Sequence, residues 1–138
     1  MKKTYFALIA CALAFAVHAA PNDIPDQFVG SYVGKGEKCD RKADGTLKAK
    51  DYLLVTKKEF EMGYMDIESG EGESDSYNCS PNKAVTVKGD SVTFPASCQI
   101  NVGVMKKSFR LTKTAKGIGF TAVSDKARMV DYLACPAK

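Results

Sequence analysis

The chain of 138 residues contains one histidine and no tryptophan. The histidine, His18, lies in an apolar N-terminal stretch, so residues 19–138 contain no imidazole. Histidine is the commonest general base and metal ligand near neutral pH. Its absence excludes a Ser-His or Cys-His nucleophile and an imidazole-ligated zinc site from that part of the chain.

Long apolar runs are confined to the N-terminus. Two lysines precede an apolar run from Tyr5 to Val17, and the small residue Ala19 offers a cleavage site, which is the pattern of a secretory signal. We expect residues 1–19 to be a signal peptide that is removed, which would place the protein in the bacterial periplasm or outside the cell. The run is too short for a retained spanning helix, and we predict no insertion into a membrane.

Cysteine is sparse, and no two cysteines have the C-x-x-C spacing of redox or zinc sites. One of the five, Cys11, would leave with the signal peptide. The other four are an even number in a small exported chain, which predicts two disulfides. A single domain over residues 20–138 is long enough to enclose one core.

Charge is almost balanced overall but unevenly distributed. Without Lys2 and Lys3, the 20 basic residues fall to 18 against 16 acidic ones, a net charge of +2. Such a balance gives no indication of a nucleic-acid partner. Seven of the sixteen carboxylates nevertheless lie between Glu59 and Asn82, a span that holds no lysine or arginine.

The clearest pattern in the chain runs from Ser91 to Val104. All seven even positions are apolar, and the odd positions are small or polar apart from Pro95. Alternation with a period of two predicts a half-buried β-strand. Pro95 cannot donate a backbone hydrogen bond, so it marks an edge or a bulge in that strand.

A two-residue turn at Gly89-Asp90 predicts a hairpin between this strand and the residues before it. Pairing across the turn sets Val87 opposite Val92. The same register, extended, brings Cys79 within two residues of the position opposite Cys98. We therefore expect one disulfide from Cys79 to Cys98 and the other from Cys39 to Cys135.

Two further irregularities are predicted on either side of the hairpin. The alternation in a strand from Glu59 to Ile67 shifts phase after Gly63, which indicates a bulge at the glycine. A turn at Lys106-Lys107 would set Val104 opposite Phe109. The whole pattern gives eight or nine short antiparallel strands and predicts an all-β fold, a small antiparallel β-barrel or sandwich.

The opening segment Phe28-Val29-Gly30-Ser31-Tyr32 resembles the first strand of lipocalin-like barrels, with tyrosine where tryptophan is usual. The resemblance spans five residues and implies a barrel; no family residue is carried over from it. It leaves open a barrel that holds a small apolar ligand. The residues that would line the interior are Phe60, Met62, Phe94, Val102, Phe109 and Phe120.

The acidic span favours a contact surface for another protein. Residues 69–76 include no apolar side chain and predict an exposed loop. A calcium loop is not expected, because the required glycine and the final glutamate are misplaced, and we expect no metal or cofactor. Carboxylates beside an aromatic side chain resemble interface composition and would attract a basic protein. The expected partner-binding residues are Glu68, Glu71, Glu73, Asp75 and Tyr77.

Enzymatic chemistry without histidine would need an enclosed carboxylate pair. Asp131 alone lies within an apolar strand, between Val130 and Tyr132, and we expect it to face outward. No catalytic residue is therefore predicted. The sequence favours a non-catalytic exported protein-binding module, an inhibitor or immunity-type protein of a secreted or periplasmic enzyme.

Overall fold

A computed structural model describes residues 22–65, 74–100, 102–123 and 128–137, with the backbone alone at residues 64, 65, 74 and 75. A short 3-10 helix at Asp26–Phe28 precedes the first strand. The strands are β1 (Gly30–Val33), β2 (Tyr52–Val55), β3 (Phe60–Met65), β4 (Ser74–Pro81), β5 (Thr86–Lys88), β6 (Ser91–Ile100), β7 (Gly103–Lys113), β8 (Gly117–Ala122) and β9 (Val130–Ala134).

Eight of these strands close into an antiparallel barrel. The order around the ring is β1-β2-β3-β4-β6-β7-β8-β9, and β9 returns to pair with β1. β5 is the extra strand and pairs with β6 alone. The prediction of an all-β antiparallel fold is confirmed, and the barrel is the architecture that forms. Within the described residues, no helix is long and apolar enough to cross a bilayer.

The alternation of β6 places one face of that strand in the barrel interior. Val92, Phe94, Ala96 and Cys98 are fully buried, whereas the residues between them are half-buried. Successive side chains of a strand point to opposite faces. The apolar residues of the sequence alternation are therefore the ones that face the barrel interior. The interior cluster draws its members from all eight strands of the ring.

β6 changes its neighbour at Pro95. Its first part pairs with β5, with Thr93 opposite Thr86, and its second part pairs with β4, with Ala96 opposite Pro81. Between the two ladders, the carbonyl of Pro95 accepts a hydrogen bond from the backbone N–H of Asn82 (3.0 Å). Proline, which has no N–H to offer, thus occupies the position where the ladder is interrupted.

Both predicted disulfides form, Cys79–Cys98 and Cys39–Cys135. The hairpin at Gly89-Asp90 also has the predicted register, with Val87 opposite Val92. Cys79 lies directly opposite Cys98 rather than two residues away. The difference arises because the β4–β6 ladder is offset by two residues from the β5–β6 ladder.

The turn predicted at Lys106-Lys107 is wrong. β6 ends at Ile100 and β7 begins at Gly103, so Phe109 pairs with Phe94 and not with Val104. The chain reverses between Ile100 and Gly103, which pair with each other, and Gly103 has a φ of +138°, a conformation that glycine adopts readily. The exposed valines near this tip continue the apolar alternation past the turn, which hides the reversal in the sequence.

The bulge predicted at Gly63 is also wrong. Gly63 pairs in regular register with Tyr52 on one side and Ser76 on the other. The Tyr52 ring lies across this position, and a Cβ on Gly63 would overlap it. The Tyr52 hydroxyl donates a hydrogen bond to the Glu61 carboxylate. Glycine is present to admit the ring, not to shift the strand.

A second apolar cluster lies outside the barrel wall. Residues 34–51, here called the outer strap, connect β1 to β2. Leu47 and Ala49 of the strap are buried together with Val33 of β1. The Cys39–Cys135 disulfide ties the strap to the residue after β9. The N–H of Cys135 in turn donates to the carbonyl of Ser31 (2.8 Å).

The alternating strand directions define two ends of the barrel. The lower end carries the 3-10 helix and the turns after β2, β5 and β7. Ile24 and Phe28 are buried there, and the N–H of Ile24 donates to the carbonyl of Lys57 (2.8 Å). The upper end carries the strap and the β6–β7 tip. β7 runs the full distance between the two ends.

Candidate functional site

The barrel interior is filled by the protein's own aromatic side chains. Phe60 is fully buried, and its ring centroid lies 5.0 Å from that of Phe109, 5.6 Å from Phe120 and 6.0 Å from Phe94. All three contacts are edge-to-face, an arrangement that aromatic rings favour. Four of the six residues expected to line a ligand cavity therefore pack against one another.

Val102 was expected in the same lining, and that expectation is wrong. Its side chain is 91% exposed beside the β6–β7 turn. Met62, the remaining member of the predicted set, is partly buried and packs against the interior cluster. The prediction failed because Val102 lies in the β6–β7 turn, beyond the end of the barrel wall, although it continues the apolar alternation of β6.

The predicted acidic partner site is described only in part. Glu68, Glu71 and Glu73 lie outside the described residues. The backbone of Asp75 lies in β4, opposite Tyr64 of β3. Their role in binding a partner stays a prediction.

Tyr77 lies two positions after Asp75 on the same strand. It pairs with Met62 across the β3–β4 ladder and packs, half-buried, against the interior cluster. Contacts with the interior cluster therefore hold the Tyr77 side chain against the barrel wall, in the half of β4 nearer the upper end.

Asp131 is exposed and pairs with Gly119 across the β8–β9 ladder, in agreement with the outward orientation expected. Sequence reasoning overlooked a different carboxylate, Asp51, which accepts a hydrogen bond from the Tyr132 hydroxyl. Burial and the nearby Asp51 charge raise the pKa of Tyr132. The hydroxyl stays protonated at neutral pH, and it acts there as a donor and not as a base.

A Cβ on Gly34 would overlap the Asp51 carboxylate. The glycine therefore admits that carboxylate, just as Gly63 admits the Tyr52 ring. Within the described residues, no group of three or more histidine, cysteine, aspartate or glutamate side chains is placed to hold a metal ion.

Ion pairs among the described side chains are confined to the lower end. Lys57 pairs with Asp26 at 2.9 Å, and Lys58 pairs with Asp23. Lysines on the other described strands have no ion pair with a described carboxylate. Lysines from β5 to β8 have few carboxylates near them in the sequence. Residues 76–124 contain seven basic residues and one acidic residue, Asp90.

A groove of about 580 Å³ lies beside β6 and β7, and we call it the basic groove. Within this stretch of the ladder Ser97 pairs with Lys106, and Pro95 pairs with Ser108. The connection that follows β4 forms the opposite rim. The lining residues are Asn82, Lys83, Pro95, Ala96, Ser97, Lys106, Lys107 and Ser108.

One hydrogen bond crosses the basic groove. The side-chain amide of Asn82 donates to the hydroxyl oxygen of Ser97 (2.9 Å). Sequence reasoning missed this site because it assigned Lys106 and Lys107 to a turn. The signal that could have found it is the scarcity of carboxylates in residues 76–124.

Comparisons with protein-family models, with curated proteins and with solved structures found no match to this chain.

Proposed function

We propose that this chain is a non-catalytic, exported protein-binding module, an inhibitor or immunity-type protein of a secreted or periplasmic enzyme. Its recognition surface is the acidic loop, which we define as Glu68, Glu71, Glu73, Asp75 and Tyr77. The observation that carries the proposal is the packed interior. A barrel filled by its own side chains leaves its outer surface and its end loops for recognition.

The charge distribution supports a basic partner. Seven carboxylates and no basic residue lie between Glu59 and Asn82. A surface with one sign of charge raises the rate at which an oppositely charged protein associates. Tyr77, held in the wall of β4 beside this loop, offers the aromatic contact area that is enriched in protein interfaces.

Export is supported by the two disulfides, which are compatible with an oxidising compartment. The absence of imidazole from residues 19–138 supports a non-catalytic role. The Tyr132 hydroxyl, which donates a hydrogen bond to Asp51, has a raised pKa. Such a tyrosine does not supply the missing general base.

The alternative is a lipocalin-like barrel that binds a small apolar ligand. The closed eight-stranded ring favours it. The edge-to-face packing of Phe60 against three other phenylalanines disfavours it, because an apolar ligand needs a cavity of ~300 Å³ or more.

The test is capture of partners by the immobilised domain from the extracellular or periplasmic fraction of its own organism, followed by affinity measurements on the captured protein. The test variant is Glu68→Lys/Glu71→Lys/Glu73→Lys. A matched control, Asp40→Lys/Asp90→Lys/Asp131→Lys, changes the net charge equally at exposed positions elsewhere.

We expect a basic protein in the eluate, at least tenfold weaker binding by the test variant, and a flatter dependence of affinity on salt. The control is expected to change affinity less than twofold. Equal effects of the two variants would contradict the acidic loop as the site. A co-purifying lipid with no protein would favour the lipocalin-like alternative.

A further inference from the structure

We propose that the basic groove binds a small organic oxyanion, a phosphate or sulfate ester. This site shares no residue with the acidic loop. Ester binding in the groove can therefore be tested independently of the proposed protein partner. It would give the protein a second ligand of opposite charge to the proposed protein partner.

Three lysine residues line the groove, and Lys106 shares the outward face of the sheet with its partner Ser97. Lys106 and Lys107 lie on β7, and Lys83 lies on the opposite rim. None of the three forms an ion pair with a described carboxylate; the two ion pairs of the described residues are at the lower end. Asp90, the one acidic residue of residues 76–124, lies in the β5–β6 turn at that same lower end.

A hydroxyl group at the groove has a proton that it can donate to a ligand. Ser97 accepts a hydrogen bond from the Asn82 amide at 2.9 Å, so one lone pair of its oxygen is occupied. The proton of the Ser97 hydroxyl remains available for an acceptor in the groove. The backbone of Asn82 is itself anchored to Pro95 at 3.0 Å, which fixes the position of the amide.

The groove stands on rigid structure. Its floor is the central part of the β6–β7 ladder, which runs without interruption from Ser91 opposite Thr112 to Ile100 opposite Gly103. Ala96 in this floor is fully buried, and Pro95 restricts the backbone beside it. Sites built on strands hold their polar groups more accurately than sites on loops.

The size and lining define the class of ligand. A volume of about 580 Å³ lies in the ~300–1,000 Å³ range of small-molecule sites. The lining has no aromatic ring, so stacking on nucleic-acid bases is not available. Lysines and a serine hydroxyl beside the apolar ring of Pro95 suit a charged ester group attached to a small organic body.

The first experiment is a titration followed by backbone amide NMR shifts. The probes are glucose 6-phosphate, glucose 6-sulfate, inorganic phosphate and, as the neutral control, glucose. We expect saturable shifts centred on Ser97, Lys106 and Lys107 with the esters and none with glucose. A preference between the two esters identifies the phosphate or the sulfate as the ligand group. Esters that bind no more tightly than inorganic phosphate would overturn the assignment of an organic ligand.

The second experiment uses paired variants with the same charge change. Lys106→Gln/Lys107→Gln is expected to weaken ester binding at least tenfold. Lys113→Gln/Lys116→Gln, at the lower end of β7, is expected to change it less than twofold. Equal losses would mean general electrostatic attraction and would overturn the site.

Ser97→Ala tests the oriented hydroxyl without changing charge. We expect a severalfold loss of ester affinity with the amide spectrum elsewhere unchanged, which shows that the variant is folded. Unchanged affinity would overturn the role assigned to this hydroxyl. Capture of a basic protein partner should be the same for both groove variants, which keeps this test distinct from that of the acidic loop.

Discussion

The barrel interior and the cluster beneath the outer strap are both apolar, but they are held together by different means. The interior contains sixteen buried residues, contributed by every strand of the ring and by the segment before β1. The outer cluster contains three, Val33, Leu47 and Ala49. The first is enclosed by a continuous ladder of hydrogen bonds, whereas the second depends on a segment tied down by one disulfide.

The difference shows that apolar burial alone does not order a segment of this length. One cluster of three buried residues cannot offset the conformational entropy of an eighteen-residue connection, residues 34–51, which costs ~1–2 kcal/mol per ordered residue. The strap also has many hydrogen bonds of its own, including those from the N–H groups of Lys50 and Asp51 to the Glu37 carboxylate. We expect the covalent tie at Cys39 to contribute more than these bonds to holding the strap on the barrel.

The largest expected effect comes from removing that tie. Cys39→Ala/Cys135→Ala opens a loop with a sequence separation of 96, and the chain-entropy model gives a loss of about 4.7 kcal/mol in the free energy of unfolding. Urea unfolding followed by circular dichroism measures the loss. Trypsin should then cut first within the strap, at sites such as Lys42 and Lys48, and leave the barrel intact.

The matched control is Cys79→Ala/Cys98→Ala, with a sequence separation of 19. The same model gives about 3 kcal/mol for this shorter loop. Because Cys79 and Cys98 are buried in the interior cluster, lost packing adds to that value. A loss greater than that of the outer pair would contradict the comparison and make packing the dominant contribution of the disulfides.

A truncation in the interior is expected to rank next. Phe60→Ala removes a fully buried ring that contacts three others, and such changes cost about 4 kcal/mol. Thermal and urea unfolding give the measurement. Val87→Ala, at a residue that is 52% exposed on β5, is the control and should change stability by less than ~0.5 kcal/mol.

The corresponding truncation under the strap should cost less. Leu47→Ala is expected to lower stability by about 2 kcal/mol, at the low end for buried leucines, because a cluster near the surface can collapse into the space. The effect should largely disappear in the Cys39→Ala/Cys135→Ala background, since the two changes act on one segment. Full additivity in this double-mutant cycle would show that Leu47 is held by the barrel and not by the tie.

The smallest effect is a loss of stability at alkaline pH. Burial and the hydrogen bond to Glu61 raise the pKa of Tyr52 from 10.0 to about 12. The unfolded chain therefore ionises first, so the contribution of this hydroxyl is complete below about pH 10 and declines as the pH rises toward 12. Tyr52→Phe should make the stability less sensitive to pH over this interval. A parallel pH profile for the variant would show that Tyr52 does not titrate as described.

Most of the barrel could be predicted from the sequence because its walls obey alternation. The pattern of Ser91 to Ile100 places Phe94 and Cys98 inside, and the Gly89-Asp90 turn fixes the adjoining register. That register brings Cys79 close to Cys98, and the second disulfide is then predicted between the two remaining cysteines. Local signals of this kind are reliable because the chemistry of a turn and the pleat of a strand act on neighbouring residues.

The remaining features depend on distant residues. The exposed Val102 and Val104 extend the apolar pattern through a turn, so the pattern could not show where β6 ends. Leu47 is buried in a strap that is joined through Cys39 to a cysteine 96 residues away. The basic groove needs β7 beside β6 in the observed register, and a predicted turn at Lys106 concealed it.

The β6–β7 tip provides a practical site for labelling and peptide grafting. The chain reverses between Ile100 and Gly103, and Val102 is 91% exposed. A cysteine-free tag or a foreign epitope inserted beside Val102 would lie outside the aromatic interior. Because the natural chain has no tryptophan, an indole placed at this position would report, by its fluorescence alone, on anything that approaches this end of the molecule.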